Sequence, residues 1–242
     1  MLSLALPEIV SAVASLFYPP ACVICSGNVG RAEYLCADCQ QRAPRIAAPF
    51  CAKCSEPFSG AITQTFRCAN CEHRALHFDC AVAAYRSRGL VRKVVHDFKY
   101  GKQRHLRYPV AKWLIESLGD SRLRGRHFDV IVPVPLHPAR ERERGFNQAA
   151  LLAELLAASA AIPLRPLLER TRYTTTQTAY DRAERMENLH GAFRLRKNRN
   201  VRGLRVLLID DVLTTGSTLS ECARVLRKAG AVSVHAATAA RA

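Results

Sequence analysis

Apolar and polar positions divide this chain into three regimes. From residue 129 onward, short aliphatic runs alternate with helical periodicity. Residues 130–134 are an uninterrupted apolar run, and 204–209 and 232–237 are apolar but for Arg205, Ser233 and His235, the pattern of strands largely buried on both faces. Between them, 146–158 and 218–229 repeat apolar side chains at three- and four-residue spacing, the signature of amphipathic helices. Strands alternating with helices at this spacing predict an α/β fold built on a parallel sheet with helices on its faces. Upstream, 80–85 predicts a further strand, and 90–98 and 106–118 predict helices. A polar stretch at 170–190 interrupts the series. Residues 19–77 read differently: turn-forming Pro and Gly are frequent and long apolar runs are missing, so this segment needs a staple to hold a fold. At the very front, Leu6, Ile9, Val10, Val13, Leu16 and Phe17 predict a short amphipathic helix, too short to cross a bilayer and suited to packing on its own protein. A basic leader region and a small-residue cleavage site are missing there and Glu8 breaks the run, so no signal peptide is expected. The expected organisation is therefore 1–18, a helix; 19–77, a cysteine-rich module; and 78–242, the α/β domain.

Composition adds a partner class and a compartment. The chain has 242 residues with 36 Lys plus Arg against 20 Asp plus Glu, a formal charge of +16, which favours phosphorylated or polyanionic partners through long-range attraction. A solvated basic surface is the alternative. Eight of the ten cysteines form four Cys-x-x-Cys pairs: Cys22/Cys25, Cys36/Cys39, Cys51/Cys54 and Cys68/Cys71. Such knuckles present thiolates to Zn²⁺ in pairs, and two four-thiolate sites accommodate all eight sulfurs. Three pairings are open; the sequential one needs the least chain. Redox pairs of this kind begin a helix after a strand, which none of the four is expected to do. A closed four-thiolate site is structural, and the usage implies a reducing, cytoplasmic setting. Cys80 and Cys222 fall in apolar segments and are expected in the core, while His73 and His77 are spare ligands at most.

The most informative stretch is 206–218, VLLIDDVLTTGST. An aliphatic strand ends in Asp210 and Asp211, and a turn of Thr214, Thr215, Gly216, Ser217 and Thr218 leads into a helix. Hydroxyls, curled backbone N–H groups and the positive helix end make a cup for one phosphate. The two carboxylates before it can accept hydrogen bonds from a ribose diol. The Gly-Lys-Thr/Ser ending of a Walker loop and the Gly-x-Gly of a dinucleotide fold are both missing. The stretch resembles the phosphoribosyl pyrophosphate (PRPP) motif of type I phosphoribosyltransferases. Residues 129–153, DVIVPVPLHPARERERGFNQAALLA, with Phe98-Lys99-Tyr100-Gly101, Gln177, Arg185, Asn188, Ala192-Phe193 and the cysteine-rich front, are similar to the ComF family of competence-associated proteins.

That resemblance implies a type I phosphoribosyltransferase fold behind a double zinc ribbon, Mg²⁺ bound with PRPP, and a role in DNA uptake or the use of external DNA. It also implies a pyrophosphate loop over 133–144, with Pro135, Leu136, His137, Arg140 and Arg144 as the phosphate-facing residues, although Arg142, Glu141 and Glu143 allow a plain salt-bridged surface. A lid over 173–187 is implied too, with Gln177, Arg182 and Arg185; Tyr180 departs from the aliphatic residue expected there. The chemistry implied is displacement of pyrophosphate from the anomeric carbon by an acceptor that nothing in the chain spells out, under a hood formed by residues 80–101 and the zinc module. Whether turnover occurs is left open, as is oligomeric state. The other function class is a non-catalytic PRPP sensor that handles single-stranded DNA. Arg86, Arg88, Arg92, Lys93, Lys99, Lys102, Arg104 and Arg107, opposed by Asp97 and interleaved with Phe98, Tyr100 and Tyr108, suit such a strand, with Lys99 and Arg104 as its named contacts. Helical spacing offers the plainer account, with Leu90, Val94 and Phe98 turned inward.

Overall fold

The computed structural model describes residues 20–30, 33–60, 62, 64–173 and 189–242. The chain divides into two compact units, Met1–Ala43 and Pro44–Ala242. The amphipathic segment of the first 18 residues lies outside the described residues, as do Gln177, Tyr180, Arg182, Arg185 and Asn188 of the implied lid.

The described part of the first unit is the knuckle pair Cys22 to Cys39, closed by the short helix α1 (Ala37–Gln41). The second unit begins with the second knuckle pair, whose helix is α2 (Ala69–Glu72), and continues into the α/β fold. Its order is β1 (Ala81–Arg86), α3 (Gly89–Tyr100), a turn of 3-10 helix, α4 (Arg107–Ser117), β2 (Val130–Pro133), α5 (Pro138–Arg144), α6 (Gln148–Ala160), β3 (Leu168–Arg170), β4 (Phe193–Leu195), β5 (Arg205–Leu213), α7 (Ser217–Lys228) and β6 (Ser233–Arg241).

Four strands form one sheet in the order β1-β6-β5-β2, and every pairing is parallel. The apolar runs at 130–134 and 204–209 are explained by this: residues of both parities, Val206 and Leu208 as well as Leu207 and Ile209, are fully buried, so both faces are covered. Helix α4 packs on β6 and β1, α6 packs on β5 and β2, and these two helices touch one another. Helix α7 contacts β6, β5 and β4. The edges are closed as well. Along β1, the backbone of 44–46 pairs with Ala84 and Arg86; along β2, Pro163 and Arg165 exchange hydrogen bonds with Ile131.

Two expectations need correcting in detail. Residues 138–144, read as a stiff loop, form helix α5: His137 caps it by accepting the Ala139 N–H on Nδ1 at 3.2 Å, Pro138 sits in its first turn, and Gly145 ends it at φ +80°. The polar stretch after Arg170 is framed by a small antiparallel pair, β3 with β4, which the mixed composition concealed.

Candidate functional site

In each zinc ribbon the cysteines converge in sequential pairs. The Sγ atoms of Cys22, Cys25, Cys36 and Cys39 all lie within 4.8 Å of one another, and so do those of Cys51, Cys54, Cys68 and Cys71. Sulfurs about 2.3 Å from a tetrahedral ion stand about 3.8 Å apart. The Cys25–Cys36 and Cys54–Cys68 separations, both 3.6 Å, fit that edge. Backbone geometry repeats from one ribbon to the next. Ser26 and Ser55 both adopt φ +59° and donate their N–H to the carbonyl of Cys22 and Cys51 at 2.9 Å, while Cys22 and Cys51 donate to the residue five further on at 2.8 Å. Two four-cysteine clusters with this geometry are structural zinc sites. Contrary to the sequence expectation, Cys36 and Cys68 do begin helices, as N-caps of α1 and α2. No described strand leads into either. His73 and His77 are outside both clusters. Cys80 and Cys222 are buried in the α/β core, where loss of hydration pushes the Cys80 thiol up to about 11.

The second ribbon belongs to the same unit as the sheet, and it touches the phosphate cup. Strand β5 runs on through Asp210 and Asp211 to Leu213, so the turn is only three residues before α7 begins at Ser217. Gly216 caps α7 at φ +78°, and a Cβ there would meet Phe78 Cζ at 3.4 Å. Gly216 has no side chain with which to cap the helix, and Thr215 Oγ1 accepts the Ser217 N–H at 3.4 Å. Thr215 Oγ1 and Ser217 Oγ share a hydrogen bond at 2.9 Å. From behind, Arg74 donates to the Thr215 carbonyl at 3.1 Å and to Ser217 Oγ at 2.9 Å, Asn70 donates to the same carbonyl at 3.3 Å, and the His77 N–H donates to Ser220 Oγ at 3.1 Å. Asn70 stands between the knuckle residues Cys68 and Cys71, so the zinc ribbon braces the cup.

Asp211 is buried and paired with Lys99 Nζ at 2.8 Å. Asp210 beside it is partly covered, and burial together with the Asp211 charge pushes its carboxyl up to about 7, against the opposing pull of Lys99. Lys99 therefore points its charge into the acidic doublet and not toward a nucleic-acid track. Phe98 is fully buried, which removes one aromatic from that track, whereas Arg104 is exposed and lies 5.6 Å from the Phe146 ring. Val94 is buried as the helical spacing predicts.

On the β2 side, Pro135 is buried and Leu136 and His137 are partly exposed, so the side chains of the implied pyrophosphate loop do not form one open face. Within α5, Arg140 and Arg144 stand one turn apart and are half-covered, against Tyr173 and Tyr100 at 5.6 and 4.9 Å, while Arg142 is exposed. Arg170, at the end of β3, is held below the usual guanidinium range by burial and by the charge of Arg140, and it feels Asp210 as well. Arg170 thus stands electrostatically between Asp210 and the pair Arg140 and Arg144. Sequence reasoning missed Arg170, Asn70 and Arg74. Arg74 and Arg170 lie in no motif and Asn70 is a spacer residue of the Cys68/Cys71 knuckle; only the ribbon fold and the sheet order bring them to the neighbourhood of the cup.

Family comparisons agree with this geometry. The profile described as a double zinc ribbon domain matches residues 13–75, and the phosphoribosyl transferase domain profile matches residues 110–242. Competence protein F of Haemophilus influenzae is 32% identical over 221 residues, covering 88% of this chain and 93% of its own. This chain belongs to the ComF family. Other ComF-family relatives include DNA utilization protein YhgH of Escherichia coli K12, 30% identical over 91% of this chain and 96% of that protein. Competence protein ComFC of Bacillus subtilis is 30% identical, over 85% and 83% respectively. Among the described residues, no helix is long and apolar enough to cross a membrane.

Proposed function

We propose that this ComF-family chain binds PRPP in the cup at the end of β5 and transfers its phosphoribosyl group to an acceptor, releasing pyrophosphate, in the service of DNA uptake or utilisation. The observation that carries the reading is the juxtaposition of the acidic doublet, Asp210 and Asp211, with the N-terminus of α7, which begins at Ser217, six residues beyond Asp211. A 5-phosphate takes the N–H groups of the turn and the hydroxyls of Thr214, Thr215 and Thr218. The ribose diol donates to the two carboxylates.

The doublet also suits Mg²⁺. Burial and the neighbouring Asp211 charge push Asp210 up to about 7, a strain that a divalent cation at the pair would relieve, and Mg²⁺ takes one or two carboxylates completed by substrate oxygens. When bound, it supplies charge neutralisation on the diphosphate and diol. The chain's own residues do the rest. Arg140 and Arg144 face the departing pyrophosphate, Arg170 contributes fixed positive charge from below, and the brace from Asn70 and Arg74 keeps the cup in shape. No protein nucleophile is required.

Calorimetric titration with Mg²⁺ and PRPP tests binding. The chain is expected to bind, and the Asp210→Asn/Asp211→Asn double variant is expected to lose at least ten-fold in affinity. Equal binding by the two sinks the reading. Pyrophosphate release with panels of bases and amines then tests transfer.

One contact favours a second reading, the PRPP-sensing competence protein acting on single-stranded DNA. Lys99 sits on Asp211, so a diol arriving at that carboxylate must share or displace it, which passes ligand occupancy to helix α3. Binding without turnover, with DNA affinity that changes when PRPP is added, supports the sensor.

A further inference from the structure

A cleft of about 460 Å³ opens at the ends of β1 and β6; its lining contains neither Asp210 nor Asp211 and is dominated by Arg86, Arg88, Arg92 and Arg241. Glu56 supplies the one acidic side chain in that lining. Three elements bring the arginines together: β1 ends at Arg86, β6 ends at Arg241, and Arg88 is the N-cap of α3 with Arg92 on its first turn. We propose that this cleft is a second phosphate-binding site, one that takes the terminal phosphate of a nucleotide.

Four observations lead there. First, the Arg241 side chain is only 7% exposed, yet its Nε finds no acceptor among the described residues; the buried Nε of Arg86 finds none either. Buried donors of this kind cost stability unless something accepts from them. Second, the remaining nitrogens of Arg241 are fixed, on Glu56, on the Leu213 carbonyl at 3.3 Å and on the Ala242 carbonyl, so the guanidinium is held in place before any ligand arrives. Third, α3 is a 12-residue helix whose N-terminus has no side-chain cap, and its first residue, Gly89, has φ +51° with open space where a Cβ would stand. The positive end of the helix therefore faces the arginines unscreened. Fourth, four guanidinium groups outnumber the acidic groups of the lining, Glu56 and the α-carboxylate of Ala242, by two, an excess that suits a doubly charged monoester, which planar guanidinium forks grip through paired oxygens. The volume falls within the range of small-molecule sites, leaving room for a sugar and base beyond the phosphate. Such a phosphate arrives either on a free nucleotide or at the end of a strand.

The test uses the full chain with four probes: inorganic phosphate, thymidine 5′-monophosphate, and a thymidine tetranucleotide with and without a 5′-phosphate. Affinity is read by calorimetry and location by amide hydrogen exchange. Thymidine 5′-monophosphate or the 5′-phosphorylated tetranucleotide is expected to slow exchange over residues 86–92. Arg88→Ala/Arg92→Ala, two solvent-facing changes that leave the core alone, is expected to weaken that binding at least ten-fold while Mg²⁺–PRPP titrates as before. Binding of the mononucleotide assigns a free nucleotide, and binding of the phosphorylated tetranucleotide alone assigns a strand end; either supports the site. Inorganic phosphate binding with no mononucleotide or tetranucleotide binding overturns it, as do equal affinity for the two tetranucleotides, protection confined to 214–218, unchanged affinity in the double variant, or no binding by any probe.

Discussion

Burial, reinforced by the charge of Asp211, holds Asp210 protonated more readily than an ordinary carboxyl, and this has a pH consequence of definite sign. Its value rises from 3.8 in the open chain to about 7 in the fold. The folded state therefore keeps a proton that the unfolded chain gives up. Its contribution to stability is complete below pH 4 and is lost as pH rises through about 7. Asp210→Asn, which cannot ionise, is expected to melt higher than the parent at pH 8 by several degrees, on the order of 2 kcal/mol, with the gap closing toward pH 4. Thermal melts across that range check it. The same variant is expected to lose PRPP binding, the trade of stability against function that marks a strained site. The doublet and its Thr-rich turn were legible in the sequence because a single contiguous motif contains all the donors and acceptors. Arg170, Asn70 and Arg74 were not, because each reaches the cup across more than 35 residues of chain through contacts that only the folded backbone sets up.

At the scale of the element, helix α5 decides which of its arginines matter. Alternation along the sequence suggested that 140, 142 and 144 point in different directions, but residues four apart on a helix share a face. Arg140→Ala and Arg144→Ala are each expected to weaken pyrophosphate binding roughly five- to fifty-fold, on the scale of a charge-assisted contact, while Arg142→Ala leaves it unchanged. Competition of pyrophosphate against PRPP measures this. Helix α2 carries the other element-level expectation. Because Asn70 and Arg74 hold the Thr215 carbonyl and Ser217 from the zinc ribbon, Arg74→Ala is expected to lower PRPP affinity several-fold with zinc content unchanged. Cys68→Ser is expected to lower both. By reciprocity, saturating PRPP is expected to raise the equilibrium affinity for zinc, which competition against a colorimetric chelating indicator measures. The short helices α1, α2 and α5 escaped the sequence reading because one or two turns leave too few residues for periodicity to register.

For the molecule as a whole, the strand–helix alternation was readable from residue 129 onward, since fully buried parallel strands need continuous aliphatic runs and surface helices need a stripe. The pairing of β1 with β6, across more than 150 residues, was not, and neither was the division of the chain between the ribbons at Ala43 and Pro44. That division carries its own expectation. Cys22→Ser/Cys25→Ser is expected to release one zinc ion per chain and leave the cooperative melt of Pro44–Ala242 within a degree or two of the parent, whereas Cys51→Ser/Cys54→Ser shifts it by many degrees. Metal analysis paired with calorimetry distinguishes the two.

The covered margins of the sheet bear on how copies of this protein meet. With 44–46 laid along one flank and 163–165 along the other, neither outer strand offers a free ladder to a newcomer. A second copy that sought to extend this sheet would first have to lift one of those covers, so edge-to-edge joining of the four-stranded sheet is disfavoured by the chain's own backbone.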